Sequence, residues 1–186
     1  MGIQFTKQHI PLVMSGAKTQ TRRPFIVGDV LMHVPLRVKR KTRAGHRLHW
    51  QVNHPYAIQP GRAQRAVGTL IIDAIRLEDV RDISAEDAKA EGYDTPLHYL
   101  SVWAGFWDKA VHLTALPGGR WHLTIETPRR SVRSYAGHIS IGKAVIEVTG
   151  SAAEILEELK RWRPERLYKA WALTFHVVRE SQEVQA

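Results

Sequence analysis

Cysteine is absent from the 186 residues, which excludes disulfides, thiolate metal sites and thiol nucleophiles and leaves oxygen or amine groups as the available nucleophiles. Nothing points to an oxidising compartment. Long apolar runs are missing too. No stretch approaches the roughly 20 apolar residues a membrane span requires, and Met1-Gly2-Ile3-Gln4-Phe5-Thr6-Lys7 lacks the apolar run and small-residue cleavage site of a signal peptide. The chain is therefore expected in the cytoplasm, away from membranes. The ten histidines form no His-x-x-x-His or His-Glu-x-x-His pair on a clear helix, and the glycines form no G-x-x-x-x-G-K loop. Neither a metal, a cofactor nor nucleoside triphosphate hydrolysis is expected, and there is no internal repeat.

What is present is an ordinary globular composition, 44% hydrophobic and 24% charged, in a chain of single-domain length. Lys and Arg number 27 against 18 Asp and Glu, a net charge of +9. Such an excess attracts polyanions through counterion release, so nucleic acid is the first candidate partner. A basic surface that serves solubility alone is the alternative.

The pattern predicts a strand at Ile3-Gln4-Phe5, then a short helix within Lys7 to Ser15 with Pro11 in its first turn and Gly16 closing it. Ala17 to Pro24 has no apolar face and is expected at a surface or a site. Val30 to Val34 reads as a strand, and the strongly basic stretch from 36 to 66 as a hairpin or long loop. Gly68 to Leu77 is the clearest strand. Ser84-Ala85-Glu86-Asp87 resembles a capping box, which sets a helix from about Ala85 to Glu91, stopped by Gly92. Leu100, Trp103, Trp107 and Val111 recur at helical spacing and predict a second helix from about Pro96 to Val111 with a core-facing stripe. After Pro117-Gly118-Gly119, strands are expected over Trp121 to Thr127 and His138 to Thr149. A helix capped at Ser151-x-x-Glu154 with Ile155, Leu156, Leu159 and Trp162 on one face follows. Trp171 to Val178 is a last strand and Glu180 to Ala186 a frayed tail. Without a steady βαβ rhythm, the expected class is α+β with a mostly antiparallel or mixed sheet.

Chemistry concentrates after the first helix. Lys18 and Thr21 are three apart in a glycine-led turn, where an amine and a hydroxyl can share a hydrogen bond, and a lysine of lowered pKa can activate a hydroxyl nucleophile. A solvated basic turn has the same spacing. Arg22 and Arg23 can clamp a phosphate or base edge, or pair with a carboxylate such as Asp29. Glu91, at a helix end, is unfavourable to the helix dipole and by itself reads as a surface residue.

Gly16-x-Lys18-x-x-Thr21-x-Arg23 resembles the G-x-K-x-x-[E/T]-x-R signature of the ASCH family. Lys18 to Pro24, Gly28-Asp29-Val30-Leu31 and Asp82 to Gly92 are similar to that family in wording and order, and the likeness spans most of residues 1 to 180. It implies a PUA-like β-barrel with flanking helices, forming a single domain over 1–180, with an insertion or divergent part at about 115–165 and a tail at 181–186. The resemblance also implies that the partner is RNA or a modified nucleoside. Some small ASCH proteins remove the acetyl group from N4-acetylcytidine with a lysine, a threonine and a glutamate. Lys18, Thr21 and Glu91 match these three. Besides them, Gly16, Gln20, Arg22 and Arg23 are the candidate substrate-binding residues, with Arg23 at the motif position and the role of Arg22 open.

Arg37, Lys39, Arg40, Lys41 and Arg43, in company with Trp50 and Tyr56, suit a strand of RNA lying across them. The chain is much longer than the small amidohydrolases. Three classes stay open: a nucleoside amidohydrolase, an RNA-binding module without catalysis, and a metal-independent ribonuclease. In the barrel, Leu70, Ile72, Leu173 and Phe175 are expected to be buried, with Trp103 and Trp107 packing a helix onto it.

Overall fold

A computed structural model describes residues 2–108, 110–126, 130–134, 137–141, 145–162 and 168–178, with the side chains of 130–134, 137–141 and 162 left aside. In chain order the elements are β1 (Gly2–Gln4), α1 (Ile10–Ser15), β2 (Gln20–Pro24), β3 (Val30–His33), β4 (Leu36–Thr42), β5 (Gly45–Gln51), β6 (Pro55–Gln59) and β7 (Gly68–Asp79). Then come α2 (Ala85–Ala90), α3 (Pro96–Trp107), β8 (Val111–Ala115), β9 (Trp121–Glu126), β10 (Arg130–Ser134), β11 (Gly137–Ile141), β12 (Val145–Gly150), α4 (Ala152–Trp162) and β13 (Lys169–Val178). The class is α+β, as the sequence leads one to expect.

The chain forms two compact units, Met1–Tyr93 with Lys169–Ala186, and Asp94–Tyr168. The second begins earlier than the insertion expected at about 115–165. The first is built on a mixed five-stranded sheet in the order β1-β6-β7-β13-β2, in which only the β1–β6 pair is parallel. β1 and β2 are its edges, so its hydrogen bonding does not close into the barrel that the resemblance implies. β3, β4 and β5 make a separate antiparallel sheet.

β13 is the spine of the first unit. It pairs with β7 along its whole length and with β2 at its beginning, with a bulge between Thr174 and Phe175. Directly opposed residues in adjacent strands share a face. One face therefore carries the row Ile75–Leu173–Thr21 and turns toward a core that includes Leu70, Ile72, Leu173 and Phe175, buried as expected, together with Ile75 and Trp171. The other face carries Arg76–Ala172–Arg22 and Glu78–Ala170–Pro24. Its alanines leave room above β13 for long polar side chains to reach across from β2 to β7.

The expected strand, turn and cap signals mostly fall where they were read. Pro11 stands in the first turn of α1, and Gly16 ends it in the left-handed region at φ 82°. Ser84 Oγ accepts from the Asp87 amide at 3.0 Å and starts α2. Ser151 and Glu154 hydrogen-bond reciprocally before α4. The stretch from 36 to 66, read as a hairpin or long loop, contains the β4–β5 hairpin and a further strand, β6. Two readings need correction. His138 to Thr149 divides into β11 and β12. The second helix stops at Trp107 because Asp108 leaves helical geometry and Val111 opens β8.

The second unit contains α3, the antiparallel sheet β12-β9-β8, the β10–β11 hairpin and α4. Within it Trp103 is buried, whereas Trp107 at the last turn of α3 is 50% exposed and does not serve as core. α3 is thus part of the second unit, not a helix of the first. The tail at 181–186, the Trp162 side chain and the basic side chains of 128–133 lie outside the described residues.

Candidate functional site

The site begins where α1 ends. The left-handed Gly16 turns the chain back, and the Lys18 amide then donates to Leu12 O at 2.9 Å while the Thr19 amide donates to Ala90 O at 3.0 Å. Those two bonds seat residues 17–19 against the end of α2. The stretch read as surface or site is partly interior: Lys18 is 2% exposed and Thr21 and Arg22 are also buried, whereas Thr19, Gln20, Arg23 and Pro24 are half-buried and Ala17 is exposed.

Glu91 is the last residue of the α2 turn, and Gly92 follows it at φ 87°, a conformation that favours glycine. This turn directs Glu91 inward. The Lys18 ammonium donates to Glu91 Oε2 at 2.6 Å and to the Glu91 backbone carbonyl. Arg22 donates from Nη1 to Glu91 Oε1 at 3.2 Å, from Nε to Glu78, and lies 3.2 Å from Asp87 Oδ2 through Nη2. Gln20 Nε2 donates to Asp87 Oδ1 at 2.8 Å. Arg76 adds looser contacts with Glu78 and Asp87, at 3.6 and 3.7 Å.

Lys18 and Glu91 are therefore brought together, and Gln20 and Arg22 hold the carboxylates around them. Arg22 is enclosed by Glu78, Asp87 and Glu91 with no exposed side-chain surface, a scaffold position and not one open to a substrate. Its carboxylate partners differ from Asp29, which Arg40 takes instead. Thr21 lies on the opposite face of β2, in the row with Leu173 and Ile75. The expected turn is strand from Gln20 onward, and strand residues alternate, so Thr21 points away from Gln20 and Arg22, while Lys18, ahead of the strand, gives its side-chain hydrogen bonds to Glu91. Arg23 shares the Thr21 face. It donates to Gln4 O and its guanidinium stands 5.6 Å from the Phe5 ring centroid.

Burial pushes the Lys18 ammonium below its ordinary value, the Glu91 carboxylate opposes this, and Arg23 and Arg22 add to the lowering. A lowered pKa raises the share of neutral amine, the form that can accept a proton. His9 and Tyr93, which the sequence reading passed over, flank the pair. Their rings meet edge to face at 5.5 Å. A Cβ placed on Gly92 would stand 3.8 Å from His9 Cδ2 and 3.9 Å from Lys18 Cδ, so both residues converge over this turn. Burial lowers the His9 pKa, with Lys18 and Arg23 contributing and Glu91 opposing. Burial, with Glu91, pushes the Tyr93 hydroxyl up to about 12. The Gly92-Tyr93 step was the sequence signal for Tyr93; nothing marked His9.

Among the described residues no three His, Asp or Glu side chains are grouped so as to hold a metal ion. The carboxylates that gather here gather on arginine.

Of the residues read as an RNA surface, Lys41 and Arg43 are exposed and Arg37 and Lys39 half-buried on β4. Arg40 is committed elsewhere. Its Nε and Nη2 reach Asp29 at 3.1 Å each, and it stands 5.5 Å from the Trp50 ring centroid. Trp50 and Tyr56 are core residues, 5% and 1% exposed, so they offer no ring to a nucleic-acid base.

Comparison of the chain with protein-family models, with curated proteins and with solved structures finds no match. Among the described residues, no helix is long and apolar enough to cross a membrane.

Proposed function

We propose that the chain is an ASCH-type protein of PUA-like descent that hydrolyses the N4-acyl amide of a cytidine, with Lys18, Thr21 and Glu91 as its catalytic residues. The observation that carries this reading is the buried Lys18–Glu91 pair, 2.6 Å between charged atoms, at the positions of the motif lysine and the later glutamate. Burying two charges costs several kcal/mol per ion. A pair kept at that cost beside a half-buried histidine and tyrosine is suited to moving a proton.

In this reading substrate binding brings the buried Thr21 hydroxyl within reach of Lys18, which as the free amine takes its proton as the oxygen attacks the acyl carbon. The carbon–nitrogen bond breaks as N4 of the cytosine receives a proton from the Lys18 ammonium or from Glu91. Water then cleaves the threonine ester, releasing the carboxylic acid and restoring the hydroxyl. In the same reading Arg23 stabilises negative charge on the acyl oxygen. Arg22 orients Glu91 and touches no substrate.

The test is release of acetate from N4-acetylcytidine by the purified chain, alongside Lys18→Ala, Thr21→Ala and Glu91→Ala. Activity in the parent that each substitution lowers by at least about 100-fold, the scale of a general acid–base contribution, supports the assignment. No release by the parent, or three variants as active as the parent, removes it. Turnover that survives Thr21→Ala alone makes water the nucleophile and leaves Lys18 and Glu91 in place. The two other classes, an RNA-binding module without catalysis and a metal-independent ribonuclease, separate in a parallel incubation with RNA, the first retaining it intact and the second cleaving it.

A further inference from the structure

The positive charge of this chain is segregated. Residues 30 to 72 contain eight Lys and Arg and not one Asp or Glu, so nearly all of the +9 resides in this stretch. The rest of the chain has 19 basic and 18 acidic residues. A surface selected for solubility intersperses both signs; here the acids are withheld from one segment.

The structure turns that segment into β3, β4, β5 and β6 with the 60–67 connection. Elsewhere in the first unit, Arg22, Arg76 and Arg81 are each held by carboxylates. Of the eight cations in the acid-free segment, Arg40 alone has an ion pair among the described residues, with Asp29. Arg37, Lys39, Lys41, Arg43, Arg47, Arg62 and Arg65 have none, and every residue from Lys41 to Arg47 is exposed. The β4–β5 register also sets Arg47 directly opposite Arg40. Like charges directly opposed across a strand pair destabilise it.

We infer that the β4–β5 hairpin, with Lys41, Arg43 and Arg47 at its exposed end, is a docking surface for the phosphodiester backbone of a nucleic-acid strand, bound without regard to sequence. This goes beyond the proposed hydrolysis and does not rest on it. Charge complementarity selects the occupant. Residues 41 to 47 include no large apolar side chain, which a membrane-surface segment uses as its anchor. Trp50 is buried under Arg40, so the surface reads phosphates and not stacked bases.

The experiment uses the full chain and a fluorescent mixed-sequence RNA single strand of about 20 nucleotides, longer than the site sizes of single-strand binders. The strand carries no acylated base, so its binding is independent of any hydrolase activity. Titration across salt concentrations compares the parent with Lys41→Gln/Arg43→Gln/Arg47→Gln, and with Lys7→Gln/Lys89→Gln/Arg120→Gln, which removes equal charge outside the segment. The hairpin variant is expected to lose at least about tenfold in affinity and to flatten the log–log salt slope by about 2, three phosphate contacts at roughly 0.7 each. The control is expected to stay within about threefold. A third variant, Lys41→Arg/Arg43→Lys/Arg47→Lys, keeps the charge and should bind as the parent does, which separates charge from any disturbance of the hairpin. Equal losses in the hairpin and control variants, no binding by the parent at low salt, or binding to phosphatidylserine vesicles but not to RNA would each overturn the inference.

Discussion

Arg22 Nη1 stands 3.2 Å from Oε1 of Glu91, while the Lys18 ammonium holds the other carboxylate oxygen at 2.6 Å. One buried carboxylate thus serves two cations, and both of its oxygens are oriented by the protein. Removing the fork with Arg22→Met leaves Glu78, Asp87 and Glu91 without their common partner. The expected loss is about 3–5 kcal/mol, the scale found when one member of a buried ion pair is deleted. Arg22→Lys should recover little of it, because a single ammonium cannot span three carboxylates. Urea unfolding of both variants reads this directly, and a midpoint unchanged from the parent would show Arg22 to be dispensable.

The Lys18–Glu91 pair invites a double-mutant cycle. Lys18→Met and Glu91→Leu should each destabilise strongly, since each strands a buried charge. The double variant should be more stable than the sum of the two losses predicts, by about 1–3 kcal/mol. Additive losses would mean that the two side chains do not act as a pair.

A pH-dependent stability is expected from His49, which burial and then Arg40 push down to about 4, with Arg23 and Arg47 assisting and Asp29 opposing. An unfolded histidine titrates near 6.5. Between those values the unfolded chain binds a proton that the folded chain refuses, so the contribution is full above about 6.5 and is lost as pH falls toward 4. His9 acts in the same direction. Thermal melts from pH 7 to pH 4 should therefore show a shallower decline for His49→Gln than for the parent; parallel curves would remove His49 from the account.

Asp29 ties the β3–β4–β5 sheet to the rest of its unit. Its side chain is fully buried and accepts from Arg40 Nε and Nη2, from the Trp171 indole at 3.0 Å and from the Ile26 amide at 3.2 Å. Asp29→Ala should cost about 3–5 kcal/mol by stranding Arg40. It should also speed amide exchange across β4 and β5 more than across β7 and β13. Uniform acceleration over all four strands would point to global loosening instead.

Much of this unit can be read from local signals. Gly16 and Gly92 announced the two turns that seat Lys18 and Glu91, and Ser84 announced the start of α2, because caps and left-handed turns depend on neighbouring residues alone. The resemblance put Lys18 and Glu91 into one site 73 residues apart, and they do touch. Arg22 was illegible for the opposite reason. Its link to Glu78 runs across β13, over Ala170 and Ala172, and depends on a three-strand register that no local pattern encodes. The same register assigns Thr21 to the core face, where a spacing of three had suggested a shared turn. Trp50 and Tyr56 misled because aromatic residues among basic ones look alike whether they point outward or, as here, into the core.

The order in which the chain leaves the ribosome gives β13 a further meaning. Among the described residues β2, which carries Thr21, Arg22 and Arg23, pairs with β13 alone, and β13 follows Asp94–Tyr168 in the chain. During synthesis β2 must wait, unpaired, until the second unit has been made. A nascent or truncated chain ending before Lys169 lacks the alanine-bearing strand over which Arg22 reaches Glu78. Assembly of the site therefore requires that translation has passed β13, because β2 has no other partner strand among the described residues.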